Sequence, residues 1–290
     1  MLFRSRTIEL GGRFEPELRV GGLLAVGTSN VSITAAGMEQ YDAMARHIAA
    51  QVVDEKRRDM MLPCKPADAK LPDDKCTAQF MAQTGRLLYR RPLTQTELSA
   101  YVHAANLAAT MTKDYYNGLA MSLGGMLSSP KFLFRKQELE PDPAHKGAMR
   151  LNAYSKATQL SFFLWNTTPD DELLRAAESG ELHTAKGLAA QVDRMLASPR
   201  VESGVRAVFT DLLALDKADT LEKDTQIFPA FMRSVAMDAR EQTLRTIVDV
   251  LLAQGGDYRD LFTTRKTFLS PALATVQRVP MDKPEGGWVR

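Results

Sequence analysis

The chain has 290 residues, of which 44% are hydrophobic and 25% are charged. These are ordinary proportions for a globular protein, so neither a disordered chain nor one made mainly of membrane spans is expected. Lys and Arg number 37 against 35 Asp and Glu, and the net charge of +2 gives no electrostatic reason to expect nucleic-acid binding. Charges interrupt every apolar stretch of helix length, so we also expect no transmembrane segment.

Residues 1–34 are rich in Arg and Gly and lack the apolar spacing of a long helix. They predict an irregular N-terminal segment. The first residues also lack the charged region, continuous apolar core and small-residue cleavage site of a secretory signal, so no signal peptide is expected in this chain. Because the start looks like internal sequence, we expect the chain to be a fragment of a longer protein.

Residues 35–138 predict an N-terminal helical domain. The second of its helices begins at a cap provided by Asp73 or Asp74 and ends before Pro92. The first helix is predicted over 35–58, because apolar residues recur there at helical spacing. The residues on that face are Met38, Tyr41, Met44, Ala45, Ile48 and Val52.

Two more helices follow in the same domain. Thr94 and Glu97 have the spacing of a capping box, in which each side chain accepts a hydrogen bond from the backbone amide of the other residue. A fourth helix is predicted over 114–128 and stops at the string Ser128-Ser129-Pro130. The next residues, Phe132-Leu133-Phe134, predict either a short extended link or the start of another helix.

The stretch from Glu138 to Gly147 is charged and Pro-rich and has no apolar periodicity. Such a stretch has too little apolar surface to offset the entropy of ordering it, so we predict a linker at 139–149. A larger C-terminal helical domain is predicted over 150–275. Its first helix begins at Asn152 and runs through Trp165.

Within the C-terminal domain, Thr168 is predicted to cap a helix that has Pro169 at its first position. Pro229 is predicted to open the longest helix, and Thr267-Phe268-Leu269 a short extended piece. After Ser198-Pro199, another helix is predicted with an inward apolar face. That face comprises Val201, Val205, Val208, Phe209 and Leu212. The predicted class is therefore all-α, a multi-helix array in two helical subdomains with little or no β-structure.

Several short strings end one helix and start the next in a fixed order. They are Leu160 to Trp165, Pro169 to Leu173, Gly180-Glu181-Leu182, Met195 to Arg200 and Thr267 to Ala274. This order resembles the planctomycete cytochrome-associated helical domains of unknown function, which occur in exported multidomain proteins of planctomycetes and myxobacteria. The resemblance extends over residues 35–290.

The resemblance implies a cytochrome-like domain as a neighbour, and residues 276–290 resemble the truncated start of that following domain. A c-type haem is thereby implied in a neighbouring domain that is missing here. This chain contains no Cys-x-x-Cys-His motif and cannot attach such a haem covalently, so no cofactor is expected in it. The family has no established reaction, and the resemblance supplies no catalytic residues.

The resemblance to exported proteins also bears on the two cysteines, Cys64 and Cys76. Disulfides are rare in the cytosol and common in exported proteins, so the resemblance favours a disulfide between the two cysteines over a pair of free thiols. Two thiolates without a nearby His are too few for a structural zinc site, so no metal site is predicted. The full-length protein is expected in the periplasm, at the cell envelope or outside the cell.

Six residues are candidates for a functional role, and each has a structural alternative. Asp170 and Asp171 could bind a cation or exchange protons, although acids in a first helical turn usually complement the helix dipole. Arg90 and Arg91 could clamp an anion or could form salt bridges. Trp165 could be a stacking platform, although aromatics at helical spacing usually lie in the core.

His103 is the sixth candidate, since it lies beside apolar residues of a predicted helix. An exposed position on that helix is the structural alternative. None of the four histidines has a partner at the spacing of a metal site, and imidazole chemistry would require the fold to bring these residues together.

Two functional hypotheses follow. The first is a non-catalytic helical scaffold or interaction region that packs against a cytochrome-like domain or an envelope protein. It predicts an exposed apolar patch on the C-terminal helices. The second is a hydrolytic or redox enzyme whose site forms between the helical domains or with a missing haem module. It predicts a deep polar cleft with at least two unpaired ionisable groups.

Overall fold

A computed structural model describes residues 8–10, 14–15, 18–27, 33–224, 226–281 and 287–290. These residues form two compact units. Unit 1 takes its residues from 1–16 and 32–195, and unit 2 from 17–31 and 196–290. In the described part, the fold consists of helices with a single two-stranded sheet, which confirms the predicted all-α class.

Unit 1 contains most of the regular structure. A short helix of unit 2, α1 (Leu24–Gly27), comes first in the chain. The α-helices of unit 1 are α2 (Ala35–Val53), α3 (Arg58–Met61), α4 (Asp74–Leu88), α5 (Gln95–Thr112), α6 (Tyr115–Leu127), α7 (Pro130–Leu133), α8 (Ala153–Trp165), α9 (Asp171–Glu178) and α10 (Ala185–Leu196). The last residue of α10, Leu196, already belongs to unit 2.

The first long helix, α2, ends earlier than predicted. Thr34 caps its start by accepting a hydrogen bond from the amide of Gly37, and Asp54 ends it with an extended backbone at ψ 141°. The Asp54 carboxylate accepts from the amide of Lys56 at 3.0 Å. This local bond replaces helical hydrogen bonding, so the predicted extension to residue 58 was wrong.

The caps of the next helices follow local sequence closely. Asp73, rather than Asp74, caps α4, and the Thr94 and Glu97 capping box at α5 is confirmed. Helices α5 and α6 pack so closely that a Cβ atom built on Gly118 would lie 2.4 Å from the carbonyl oxygen of Ala105. Only glycine permits this approach.

The core of unit 1 lies mainly between α2, α4 and α6. Side chains from these helices and from Tyr89 form one buried apolar cluster, and a second cluster lies between α8, α9 and α10. The largest fully buried side chains in the two clusters are Phe80, Met81, Leu88, Tyr115, Leu119, Leu123, Met126, Trp165, Leu173, Leu182 and Met195.

The segment 139–149, predicted to be a linker, forms most of a β-hairpin in the structure. Strands β1 (Leu139–Pro141) and β2 (Met149–Leu151) pair antiparallel, with Glu140 opposite Arg150. Of the two structures predicted after Pro130, a short helix is observed, α7. The compact units separate between Met195 and Leu196 rather than in this stretch.

Helix α8 is capped by Asn152 and ends at Trp165, as predicted. The predicted cap of the next helix was wrong, because Asp170 and not Thr168 caps α9. The Thr168 hydroxyl instead donates to the carbonyl oxygen of Leu87 at 3.0 Å. Pro169 is buried and precedes the cap, so it is not the first residue of the helix.

Unit 2 is built around α11 (Val201–Leu212), α12 (Arg233–Val248) and α13 (Pro271–Gln277). Its longest helix begins at Arg233 and not at Pro229, because the amide of Phe231 bonds back to Phe228 in a turn and Met232 is extended. A π-helical turn at Asp249–Ala253 continues α12, and a 3-10 helix at Tyr258–Phe262 follows.

The core of unit 2 is small. Among the residues of unit 2 that the structure describes, one buried apolar cluster is formed by Phe209, Leu244 and Ile247, with partly buried neighbours around them. Compared with the two clusters of unit 1, few side chains are fully enclosed, so more apolar surface stays in contact with solvent.

Segments near both ends of the described chain, 18–27 and 287–290, belong to unit 2. In the segment predicted to be irregular, Leu24–Gly27 forms the short helix α1, whose Leu24 and Ala25 amides bond to the Asp211 carboxylate. Parts of that segment (1–7, 11–13, 16–17 and 28–32) lie outside the described residues. At the other end, Val289 exchanges two backbone hydrogen bonds with Leu269.

Candidate functional site

Arg90 is buried and binds backbone carbonyls. Its guanidinium donates to the carbonyl oxygens of Lys131 at 2.8 Å and Phe134 at 2.9 Å, and also to those of Leu88 and Phe132. Burial lowers the pKa of this guanidinium. Since the donors are directed at main-chain oxygens, Arg90 holds the segment that contains α7 rather than presenting a free fork to an anion.

Arg91 is part of a closed ion-pair network. Its guanidinium makes two hydrogen bonds, of 2.8 and 2.9 Å, to the Glu97 carboxylate, which also accepts from the ammonium of Lys131 and the amide of Thr94. The hydrogen bond from Arg91 is the main cause that holds the pKa of Glu97 well below its usual range. Three donor groups thus surround one carboxylate and link α5 to α7.

Trp165 and Asp170 meet at Arg194. The Trp165 ring is buried and its indole N–H donates to the carbonyl oxygen of Met195 at 2.9 Å. The Arg194 guanidinium lies 5.5 Å from the centre of that ring and makes two hydrogen bonds, of 2.9 and 3.1 Å, to Asp170. These contacts hold α8, α9 and α10 together and leave no open face of the indole for a stacked ligand.

Asp171 lies in the first turn of α9 and is exposed. It accepts a hydrogen bond of 2.6 Å from Arg86, whose guanidinium also bonds to Glu178 at 3.0 Å. Arg86 therefore joins α4 to both ends of α9.

His103 is exposed on α5. Within unit 1 the fold does not bring the six candidates into one site, and the described residues hold no group of three or more His, Cys, Asp or Glu side chains that could bind a metal ion.

The two cysteines are joined in the structure. Cys64 and Cys76 form a disulfide with their Cα atoms 5.7 Å apart. Cys76 is buried in the first turn of α4, so the bond fixes the preceding loop to the start of that helix. The predicted disulfide is thus confirmed over the free pair.

The sequence did not single out His183, which bridges two elements. Its Nε2 atom lies 3.1 Å from a carboxylate oxygen of Glu140 in β1, and its Nδ1 atom lies 3.2 Å from the ammonium of Lys156 in α8. An Nδ1 atom that accepts from Lys156 leaves the proton on Nε2, where it can be donated to Glu140. Burial, together with Arg150 and Lys156, lowers the pKa of His183.

Unit 2 has an exposed aromatic face, defined by Val208, Leu212, Tyr258 and Phe262. On α11, Val208 and Leu212 are half-exposed one turn apart, whereas Phe209 between them is buried. The Phe209 ring stacks on Tyr258 with the ring centres 6.2 Å apart, and Tyr258 meets Phe262 edge-on at 5.4 Å. Phe262 is 75% exposed.

The aromatic face differs from the sequence expectation in two ways. Val208 and Leu212 were predicted to face inward with Phe209, but only Phe209 does so. Tyr258 and Phe262 were not predicted at all, because they lie in a short 3-10 helix without an apolar period. The one available signal was the spacing of two aromatics four residues apart, which places them on neighbouring turns.

Comparison with protein families gives two matches. Residues 151–277 match the family described as PSD4, protein of unknown function (DUF1592), and residues 76–136 match PSD5, protein of unknown function (DUF1595). Both are families of the planctomycete cytochrome-associated type. Neither the curated proteins nor the solved structures contain a match. In the described part of the chain, no helix has the length and apolar character needed to cross a membrane.

Proposed function

We propose that this chain is a non-catalytic helical interaction region of an exported, cytochrome-associated multidomain protein. Unit 1 is the rigid part, and the aromatic face of unit 2 is the surface that binds a partner. The partner is a cytochrome-like domain or an envelope protein, and any c-type haem belongs to that neighbour.

The observation that carries this proposal is the exposure of the aromatic face. Phe262 is 75% exposed and Tyr258 49%, and the half-exposed Val208 and Leu212 lie on the helix that carries Phe209 beneath Tyr258. Leaving large apolar side chains in water costs roughly 25 cal/mol for each Å² exposed. Clustered exposure of this kind is typical of a protein interaction surface.

Two further features support an exported protein. The Cys64–Cys76 disulfide is the form that thiols take in oxidising compartments. The matches to PSD4 and PSD5 agree in type with the resemblance to exported, cytochrome-associated domains. The competing enzyme hypothesis requires the predicted candidate residues to lie together in one site. In unit 1, four of them instead make contacts that hold helices together: Arg90, Arg91, Asp170 and Trp165.

Photo-crosslinking in the cells that produce the protein tests the proposal. A photoreactive phenylalanine analogue is placed at Phe262, and in a matched control at Phe163, which is 72% exposed on α8 of unit 1. We expect position 262 to crosslink to one dominant protein that carries a Cys-x-x-Cys-His motif or resides in the envelope. Equal, diffuse crosslinking from both positions would contradict the proposal.

A further inference from the structure

Residues 287–290, here called the bound segment, pair with an extended stretch of unit 2. The amide of Leu269 donates to the carbonyl oxygen of Val289 at 2.7 Å, and the amide of Val289 donates back to Leu269 at 2.9 Å. Two residues that exchange both bonds form one rung of an antiparallel ladder. The bound segment is therefore added to Leu269 as an extended peptide.

The side chains on either side of Val289 contact the end of α12. The Arg245 guanidinium lies over the Trp288 ring, 4.9 Å from the ring centre, in a cation–π contact. The Arg290 guanidinium forms an ion pair of 2.7 Å with the carboxylate of Asp249, the residue that follows α12. The bound segment is thus held through its backbone, an aromatic ring and a cation.

The spacing of these contacts matches an extended peptide. Trp288 and Arg290 are two residues apart, so in a strand their side chains lie on the same side, about 6.5 Å apart. Arg245 and Asp249 are one helical turn apart, which makes their side chains neighbours at about 5 to 6 Å. Val289, between the two contact residues, is 44% exposed. The helix therefore presents a guanidinium and a carboxylate in register with alternate residues of a peptide.

The backbone around Leu269 is held against α12 by side chains of that helix. The side-chain amide of Gln242 donates to the carbonyl oxygen of Phe268 at 2.7 Å. The hydroxyls of Thr246 and Thr267 lie 3.1 Å apart. Neither contact involves the bound segment, so the groove between α12 and Leu269 is built independently of the peptide that fills it.

Directional contacts, rather than burial in a core, attach the bound segment. Trp288 is partly buried, Val289 and Arg290 are exposed, and none of the three belongs to a buried apolar cluster of the described residues. A backbone hydrogen bond, a cation–π contact and a partly exposed ion pair each contribute little net free energy. We therefore expect the bound segment to leave the groove while unit 2 stays folded.

We propose that this groove is a peptide-binding site and that the bound segment is its intramolecular ligand. The ligand class is an extended peptide with an aromatic residue and, two positions later, an arginine. Its backbone adds to Leu269, its ring lies against Arg245 and its arginine pairs with Asp249. A segment of a partner protein with this pattern displaces the bound segment. The groove shares no residue with the aromatic face, so it is a second site of unit 2.

The test uses the peptide acetyl-Gly-Trp-Val-Arg-amide, which copies the bound segment. In the full chain, Trp288→Ala with Arg290→Ala gives a released variant, in which that segment loses both side-chain contacts. Binding is followed by NMR of the Leu269 amide. We expect a saturable shift in the released variant. In the wild type, binding should be about tenfold weaker or more, because the chain's own segment competes at a high effective concentration.

Altered peptides and variants assign the recognition to individual side chains. Replacing the peptide's Trp by Ala, or its Arg by Glu, should weaken binding to the released variant by about fivefold or more. Asp249→Asn in the released variant should have a similar effect on the original peptide. The matched control is Asp219→Asn, which removes an exposed carboxylate that pairs with Arg240 and should leave binding unchanged.

Several outcomes would overturn the proposal. They are the absence of a saturable shift in a released variant that is folded by circular dichroism, equal affinity of wild type and released variant, and equal binding of the altered peptides. A released variant that fails to fold would show that the bound segment is part of the core. A wild-type dimer that dissociates in the released variant would show that the segment is exchanged between two copies and is not an intramolecular ligand.

Discussion

Phe262 meets the ring of Tyr258 edge-on, with ring centres 5.4 Å apart and ring planes at 74°, yet 75% of Phe262 is exposed. Tyr258 in turn stacks on the buried Phe209. An aromatic column thus runs from the small core of unit 2 to its surface. In the described part of the chain, no element covers the exposed side chain of Phe262. The buried Phe209 thus contributes to the core, whereas the exposed Phe262 is available for binding.

The first prediction compares how much Phe209 and Phe262 contribute to the stability of the fold. Phe209→Ala should lower the free energy of unfolding by about 3 to 5 kcal/mol, because it removes a buried aromatic ring and leaves a cavity. Phe262→Ala should change it by less than about 1 kcal/mol, because most of its ring is already in water. Denaturant unfolding monitored by circular dichroism compares the two variants. Equal losses of stability would contradict this assignment.

The second prediction concerns Arg90. Replacing it by Met removes the donors to four carbonyl oxygens and should destabilise the chain by about 2 to 4 kcal/mol. Arg90→Lys should recover little of this, because an ammonium cannot reproduce the planar fork. Arg46→Met, which removes an exposed i, i+4 pair with Asp42, is the control and should cost less than about 0.5 kcal/mol. Full rescue by Lys in urea unfolding would show that the charge alone matters.

The third prediction concerns the disulfide. Cys64→Ser with Cys76→Ser should reduce stability by roughly 3 kcal/mol, since the bond restricts a loop of the unfolded chain across a separation of 12 residues. Reduction of the wild-type protein before unfolding should produce a similar loss and leave the double variant unaffected. Thiol titration of denatured, unreduced protein from the exported compartment should find no free thiol; two free thiols per chain would refute the bond there.

The fourth prediction concerns pH. Because the pKa of His183 is lowered on folding, the unfolded chain binds more protons at this site, and the stability that His183 contributes is lost as the pH falls below its ordinary value of 6.5. Glu97 does not obscure this window, because the stability that its lowered pKa contributes is present above the ordinary value of 4.5 and is lost only as the pH falls below it. His183→Gln should therefore lose less stability than wild type between pH 7 and pH 5, measured by urea unfolding. An identical pH dependence in the two proteins would contradict the prediction.

Local signals in the sequence predicted much of the fold. The capping box of Thr94 and Glu97 and the Asn152 cap depend on residues within one turn, so their spacing was sufficient. The cap of α9 was mispredicted because Thr168 and Asp170 are both good caps. Asp170 also contacts Arg194, which is 24 residues away, and Thr168 donates to Leu87; neither contact is visible in the local sequence.

Features that depend on distant contacts were missed or left open. The β1–β2 hairpin lies in polar sequence without strand-like alternation, and its pairing is supported by the Glu140 and Arg150 ion pair and by a hydrogen bond from the Glu138 amide to Ser155. The role of Arg90 could not be predicted either. Three of its four acceptors are backbone carbonyls 41 to 44 residues away. Every residue has such a carbonyl, so no residue type in the sequence identifies these acceptors.

The most direct test of the proposed function is the affinity of this chain for the partner identified by crosslinking. Isothermal titration calorimetry with the purified partner compares wild type, Phe262→Ser and the control Phe163→Ser, which removes an equally exposed ring from unit 1. Loss of a central aromatic contact typically costs 2 kcal/mol or more, so Phe262→Ser should weaken binding by roughly 30-fold while Phe163→Ser leaves it unchanged. Equal affinities of wild type and Phe262→Ser would show that the aromatic face is not the binding surface.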